Sequence, residues 1–353
     1  MKYIPILIIA LALLGGCGGG SGQSARYTAF DSIIDHSKHV ALGEDDDVYV
    51  FCGIENRSHL EPLLKESIER EVALVYQEKY FNLIFADIKD MSGISRYKNL
   101  LIVGSLEGGD PVSRHIKETL SMDLQDRVSQ SGGDIFISKN RFTRDQLIIH
   151  LVGLDDSRLK ELASSQANRL FSAFLERYTQ RLAHQAYLGK VIPASFFAPY
   201  PFSLKVPDTF QLFSNDRNNR FLSFLYRARM QNREIPDKFI SVYYEDMDTD
   251  RVDETWLTTQ RSRIGKTHFE GDSLNVETLR SERFKFAGRD GYRLSGAWIN
   301  PGRMAGGAFQ SYAFWDSKTK KAWLVDTMVF FPAGDKLPTL MELFMIASSF
   351  RTK

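Results

Sequence analysis

The chain changes texture once, near Gly189, and that change constrains its fold more than any other feature. Ahead of it, β-rich runs alternate with helical stretches. Strands are expected at 47–52, 80–87, 99–104, 134–138 and 146–152. Ser58-His59-Leu60-Glu61 has the form of a capping box, with Ser58 accepting from the Glu61 amide and the Glu61 carboxylate from the Ser58 amide. Leu60, Leu63, Leu64 and Ile68 then share a helix face. Pro111 suits the first turn of a second helix reaching about Val128, and a third is expected over about 157–187. Such alternation predicts an α/β layer arrangement for residues 29–189.

Beyond Gly189, Pro193, Pro199, Pro201 and Pro207 punctuate an aromatic stretch containing Phe196, Phe197 and Tyr200. Extended runs follow at 202–206, 221–227, 239–245, 280–286, 292–299, 309–315 and 322–331, with helices expected at 250–264 and 337–350. Short turns at 287–291 and 316–319 imply hairpins. Residues 190–353 therefore read as an α+β domain with a largely antiparallel sheet. Two domains suit a chain of 353 residues that is 43% hydrophobic and 25% charged.

The formal charge of +1 supplies no whole-chain field to recruit nucleic acid, and no nucleic-acid partner is expected. At the N-terminus, Lys2 precedes an apolar run over 4–14 and the sequence Leu14-Gly15-Gly16-Cys17. A spanning helix needs roughly 20 apolar residues, so this shorter run reads as an export signal. The last four residues resemble the bacterial lipobox. That resemblance implies cleavage of a signal peptide at 1–16, a diacylglyceryl group on the Cys17 thiol and acylation of the new amine. Several acyl chains anchor a protein stably where one does not. Residues 17–28 begin with a Gly/Ser run and read as a flexible tether. Gly18 is not the aspartate linked to inner-membrane retention, and no acidic cluster follows directly. By that resemblance the protein is expected to be lipid-anchored in the outer membrane, facing the periplasm. With Cys17 lipidated, Cys52 has no partner for an internal disulfide, and it reads as a buried apolar residue of a strand.

Two further resemblances concern the second half. The runs 291–298 (Gly-Tyr-Arg-Leu-Ser-Gly-Ala-Trp) and 306–312 (Gly-Gly-Ala-Phe-Gln-Ser-Tyr) look like an uncharacterised family of bacterial lipoproteins, filed as a domain of unknown function. The layout is similar over nearly the whole mature chain, and no functional residues come with it. Pro201-Phe202-Ser203-Leu204-Lys205-Val206-Pro207, the hairpin-rich sheet and a closing helix ending Ala347-Ser348-Ser349-Phe350-Arg351 are similar in layout to PsbP-like domains, which mostly dock onto partners.

No catalytic, cofactor or metal constellation emerges. Asp246-Met247-Asp248-Thr249-Asp250 begins like a calcium loop, but Arg251 stands where glycine is needed and Leu257 where a bidentate glutamate belongs. A solvated turn with Asp250 capping the next helix is expected. Glu44-Asp45-Asp46-Asp47 reads as a solvated acidic loop. Gly265-Lys266-Thr267 mimics the end of a phosphate loop, yet Gln260 replaces the upstream glycine. His36 and His39 lie near no second ligand cluster, and no Gly-x-Ser-x-Gly elbow occurs.

The remaining candidate is the loop 300–307 with its flanking strands. Trp298, Arg303, Met304, Phe309 and Tyr312 are residue types favoured at recognition surfaces. The plainer reading is a long hairpin whose Trp298 and Phe309 belong to the core. The sequence thus leads to a non-catalytic accessory or scaffolding lipoprotein, bound to the membrane through Cys17 and to an envelope protein partner. The alternatives are a ligand-binding lipoprotein with a pocket between the domains, lined by Phe196, Phe197 and Tyr200, or a hydrolase with a dispersed site.

Overall fold

The computed structural model describes residues 37–353; the expected signal peptide, Cys17, the tether and His36 lie outside the described residues. In chain order the first half contains β1 (Asp47–Cys52), α1 (Ile54–Ile68), β2 (Glu71–Ala73), β3 (Gln77–Lys79), β4 (Asn82–Ala86), α2 (Met91–Ile94) and β5 (Asn99–Ser105). It continues with α3 (Pro111–Thr119), α4 (Met122–Ser131), β6 (Gly133–Lys139), β7 (Leu147–Gly153), α5 (Asp156–Ser165) and α6 (Ala167–Ala186). Five strands form one sheet in the order β4-β1-β5-β7-β6. Its first four are parallel and β6 is antiparallel to β7. Every residue of β5 and β7 is buried, as parallel strands covered on both faces require.

The second half contains β8 (Phe202–Ser203), β9 (Gln211–Asp216), β10 (Phe221–Tyr226), β11 (Asp237–Asp246), α7 (Glu254–His268), β12 (Ser273–Leu274), β13 (Arg280–Phe286) and β14 (Arg289–Asn300). Then come β15 (Ala305–Asp316), β16 (Lys321–Phe330), α8 (Leu337–Ala347) and β17 (Arg351–Thr352). The sheet runs β12-β14-β15-β16-β11-β10-β9, with β13 also on β14, and its pairings are antiparallel. Alternation along β16 sends Leu324 and Met328 to the face covered by α7, and Trp323 and Val325 to the face covered by α8. The α/β first half and largely antiparallel second half are both present.

Several element boundaries differ from expectation, each for a local reason. Helix α1 begins at Ile54, because the Asn56 and Arg57 amides bond to Gly53 O at 3.1 and 3.0 Å directly after β1. Ser58 therefore lies inside the helix and forms no capping box. The expected second helix breaks at Leu120, where the Gln125 side-chain amide donates to Lys117 O and Leu120 O at 2.8 and 2.9 Å. The third breaks at Gln166, so that α5 covers β7 while α6 packs on α8. Helix α7 starts late because its cap is Asp253, accepting from Trp256 N at 2.7 Å; Asp250 bonds only Val252 N, at 3.1 Å. Of the expected strand 202–206 only Phe202–Ser203 pairs, with the C-terminal β17.

The two halves share a packed core. Leu337, Leu340 and Met341 of α8 join Leu170, Phe174 and Tyr178 of α6 in one cluster. The β2–β3 hairpin adds a polar tie. Buried Glu78 accepts from the Lys336 and Leu337 amides at 2.9 and 2.7 Å, capping α8 across the junction. No helix among the described residues is long and apolar enough to cross a membrane.

Candidate functional site: an aromatic cavity beside a buried carboxylate

The site is built where α7 ends and the chain turns back to the sheet. Phe269 closes the helix, and Glu270 and Gly271 follow with φ of 56° and 94°. Two successive left-handed residues reverse the chain, and Gly271 adopts that region without steric cost. Asp272 then comes against the helix it has just left. A Cβ on Gly265 would meet Asp272 O at 2.5 Å, so glycine at that helical position is what admits the return. The sequence Gly265-Lys266-Thr267 thus serves close packing within α7.

Opposite this turn stands the β14–β15 hairpin. Asn300 joins the two: its Nδ2 donates to Glu270 O at 3.1 Å and Asp272 Oδ1 at 2.8 Å, while its Oδ1 accepts from Arg303 N at 3.1 Å. Between them lies a cavity of about 180 Å³. Phe213, Phe239, Phe269, Trp298 and Phe330 line it, together with Met328, Asp272 and the arginines Arg227 and Arg303. Phe213 stacks on Phe269 with centroids 5.6 Å apart, and Phe239 meets both nearly edge-on. Trp298 is held by donation from Nε1 to Val329 O at 3.3 Å. Gly307 makes room for that indole, since a Cβ there would meet Trp298 Nε1 at 2.8 Å and Val329 O at 2.0 Å.

The charges divide into pairs and one remainder. At the rim, Arg227 Nη2 bonds Asp237 Oδ2 at 2.6 Å and Arg303 Nη1 approaches Glu270 Oε2 at 3.2 Å. Beneath, the fully buried Arg261 places Nε 2.9 Å from Asp326 Oδ1, and Ser311 Oγ donates to the same oxygen at 2.5 Å. Arg261 also reaches Met328 Sδ at 3.3 Å and lies over the Phe309 ring. Asp272 is only 3% exposed and has no ion pair among the described residues. Burial pushes its carboxyl above the ordinary range, against the lowering effect of the Asn300 hydrogen bond and of the Arg261 and Arg303 charges, with Glu270 adding to the rise.

Three larger depressions, of about 790, 610 and 290 Å³, open elsewhere, near Asp250, Arg229 and Asp208 respectively. None of the three is lined by a carboxylate as buried as Asp272. The smaller cavity is the chemically distinct one.

Of the loop residues singled out from sequence, Trp298 and Arg303 line the cavity. Met304 stands at the tip, 95% exposed, with φ of 48°. Phe309 is buried beneath Arg261. Tyr312 lies on the opposite face, where its hydroxyl donates to Gln310 Oε1 at 2.7 Å. Phe196, Phe197 and Tyr200 pack against one another and against Phe202 and Phe224, and so fill the core at that place. Asp272, Phe213, Phe239 and Phe269 were not among the candidates read from the sequence, and Asn300 entered only as the first residue of the 300–307 loop. No sequence signal linked Glu270-Gly271-Asp272 to residue 300.

Elsewhere, Asp246 pairs with Lys321 and with Arg220, the latter at 2.6 Å, and so begins no calcium loop. Asp45 of the acidic run is tied to Lys98 at 2.9 Å and approaches Arg181 at 3.7 Å; it is less solvated than expected. Cys52 is buried, with its thiol pushed up to about 12 by burial. His150, within β7, is pushed down to about 4 by burial. No group of three His, Cys, Asp or Glu placed to hold a metal occurs among the described residues.

Fold and cavity together define an α/β unit followed by an antiparallel sheet that carries a small aromatic recess with a buried acid. Residues 194–349 of it match the family described as Domain of unknown function (DUF4837). The expected likeness to an uncharacterised family is met over those residues, a narrower span than nearly the whole mature chain. No curated protein matches the chain. Among solved structures, the Ran-binding protein Mog1p of Saccharomyces cerevisiae is similar at 10% identity and a TM-score of 0.31, covering 44% of this chain and 92% of that one. LpqN of Mycobacterium tuberculosis, described as involved in cell envelope biogenesis, is similar at 13% identity and a TM-score of 0.26, covering 43% and 83%. Scores this low bear on neither the fold nor the function of this chain.

Proposed function

We propose that this chain is an exported lipoprotein, anchored through Cys17 on the periplasmic face of the outer membrane, whose folded body is a non-catalytic docking subunit for an envelope protein. The observation that carries the docking role is the cavity beneath the 300–304 loop. At about 180 Å³ it is smaller than the roughly 300–1,000 Å³ of typical small-molecule sites, and it suits a single side chain of a partner. Its aromatic wall and arginine-bearing rim have the composition favoured at binding hot spots, and exposed Met304 lies in the chain between the lining residues Arg303 and Ala305. The anchor rests on the lipobox resemblance of residues 14–17. The PsbP-like layout of the second half fits the same reading, and similar folds serve many functions.

The test is mild crosslinking in cells, followed by affinity capture of the tagged chain. A stoichiometric partner is expected, lost on replacing Arg303 and Met304 together by alanine and retained with Val276→Ala, an exposed residue outside the cavity. Intact mass of the purified chain reads lipidation separately, and Cys17→Ala should abolish it. Capture of no partner in any form would end the docking reading, whatever the lipid result.

A further inference from the structure

The unpaired acid gives the cavity a chemical preference. Each arginine that faces or underlies it is committed: Arg227 to Asp237, Arg303 to Glu270 and Arg261 to Asp326. Among the carboxylates lining the cavity, Asp272 alone has no ion-pair partner among the described residues; Asn300 donates to it, and the Arg261 and Arg303 charges act on it only from farther away. Such a group is costly to bury in its charged form, a cost relieved by taking up a proton or by the arrival of an opposite charge. Beside Ala305 and the paired Asp237 and Glu270, the apolar part of the wall is five aromatic rings and the Met328 thioether, and aromatic rings attract desolvated cations. Size narrows the choice further. At about 30 Å³ per water in the liquid, the cavity has room for on the order of six heavy atoms.

We propose that the cavity is a socket for an alkylammonium group, delivered by a lysine side chain of the protein partner, with Asp272 as its counter-ion and the surrounding rings enclosing its methylene stem. This rests on the docking reading and specifies what docks. Lysine suits the site because its compact charge sits at the end of a flexible apolar stem, which can extend to a lining carboxylate that is itself only 3% exposed.

The experiment titrates the mature chain with lysine whose amino and carboxyl ends are blocked, and with the equally blocked norleucine, which keeps the stem and lacks the charge. The indole N–H signals of the four tryptophans are followed by NMR, with Trp298→Phe assigning the relevant one. Blocked lysine is expected to shift the Trp298 signal with saturation, and norleucine to bind at least tenfold more weakly. Asp272→Asn, which can still accept from Asn300, should keep the unfolding midpoint and erase that preference. Equal binding of the two probes, preference retained in Asp272→Asn, or no saturable shift with lysine would overturn the proposal. So would free butylammonium binding where blocked lysine does not, since the occupant would then be a small amine. Partner capture reports on the docking reading independently: capture that survives Asp272→Asn leaves docking standing and removes the lysine socket.

Discussion

Removing the Glu78 carboxylate should loosen the junction between the two sheets by a measurable amount. Glu78 is 4% exposed, and its oxygens accept the Lys336 and Leu337 amides at 2.9 and 2.7 Å, where Lys336 supplies no side-chain cap of its own. Glu78→Ala leaves two buried donors at the start of α8. At about 1–3 kcal/mol for each unsatisfied group, less what water regains at a helix end, the loss should be about 2–4 kcal/mol. With an m value of about 3 kcal/mol per molar urea, the midpoint falls by about 1 M. Glu78→Gln keeps one acceptor and turns its amide toward Lys336 N, so its loss should be smaller, about 1 kcal/mol. Acidity adds a second signature. Burial raises the Glu78 carboxyl above its ordinary 4.5 in the folded state. Its protonated form is thus favoured on folding, so the wild type gains on Glu78→Gln as pH falls toward 4.5 and loses that gain as pH rises through the raised folded value. Urea unfolding monitored by circular dichroism at several values between pH 4 and 8 reads both effects. An Ala variant within 0.5 kcal/mol of wild type would refute the cap as a stabilising tie, and a wild-type-to-Gln difference flat with pH would refute the raised carboxyl.

Three further outcomes follow from the interior. Asp326→Ala strands the buried Arg261 guanidinium and should cost about 3–5 kcal/mol, whereas Arg261→Met with Asp326→Leu should recover most of it; equal urea midpoints for the single and double variants would count against this. Gly307→Ala should destabilise the chain by about 1–3 kcal/mol and disturb the Trp298 indole signal, because the added methyl meets Val329 O and the indole. Cys52, buried and with a thiol pushed up to about 12, should react with iodoacetamide at pH 8 on the order of a hundredfold faster in urea than in the folded chain; rapid native labelling would show the thiol to be accessible.

Strand placement was the most legible part of the fold. β1 and β13 match the expected ranges 47–52 and 280–286, and their β-branched and aromatic content is a local property. Helix starts were less legible, since Ser58-x-x-Glu61 satisfies a capping pattern while Gly53 begins the helix earlier. β9 was missed because its residues are mostly exposed and lie in an edge strand with a bulged register, where the alternating pattern weakens. At the candidate site, Trp298 and Arg303 were visible as recognition-prone residue types. Asp272 was not, because an aspartate after glycine ordinarily signals a turn in water.

The sequence by itself determined the division near residue 190, the alternating first half, the hairpin-rich second half and the export-like N-terminus. All four are written in periodicity and composition over short windows. Tertiary structure decided which face of the second sheet would carry a cavity and which acid would be left without a cation there. Phe213, Asp272, Trp298 and Met328 come from four separate segments, and only the packing of α7 and the antiparallel register bring them to one place. Whether Asp272 is a solvated turn residue or a buried charge depends on what surrounds it, a fact about space that spacing along the chain does not carry.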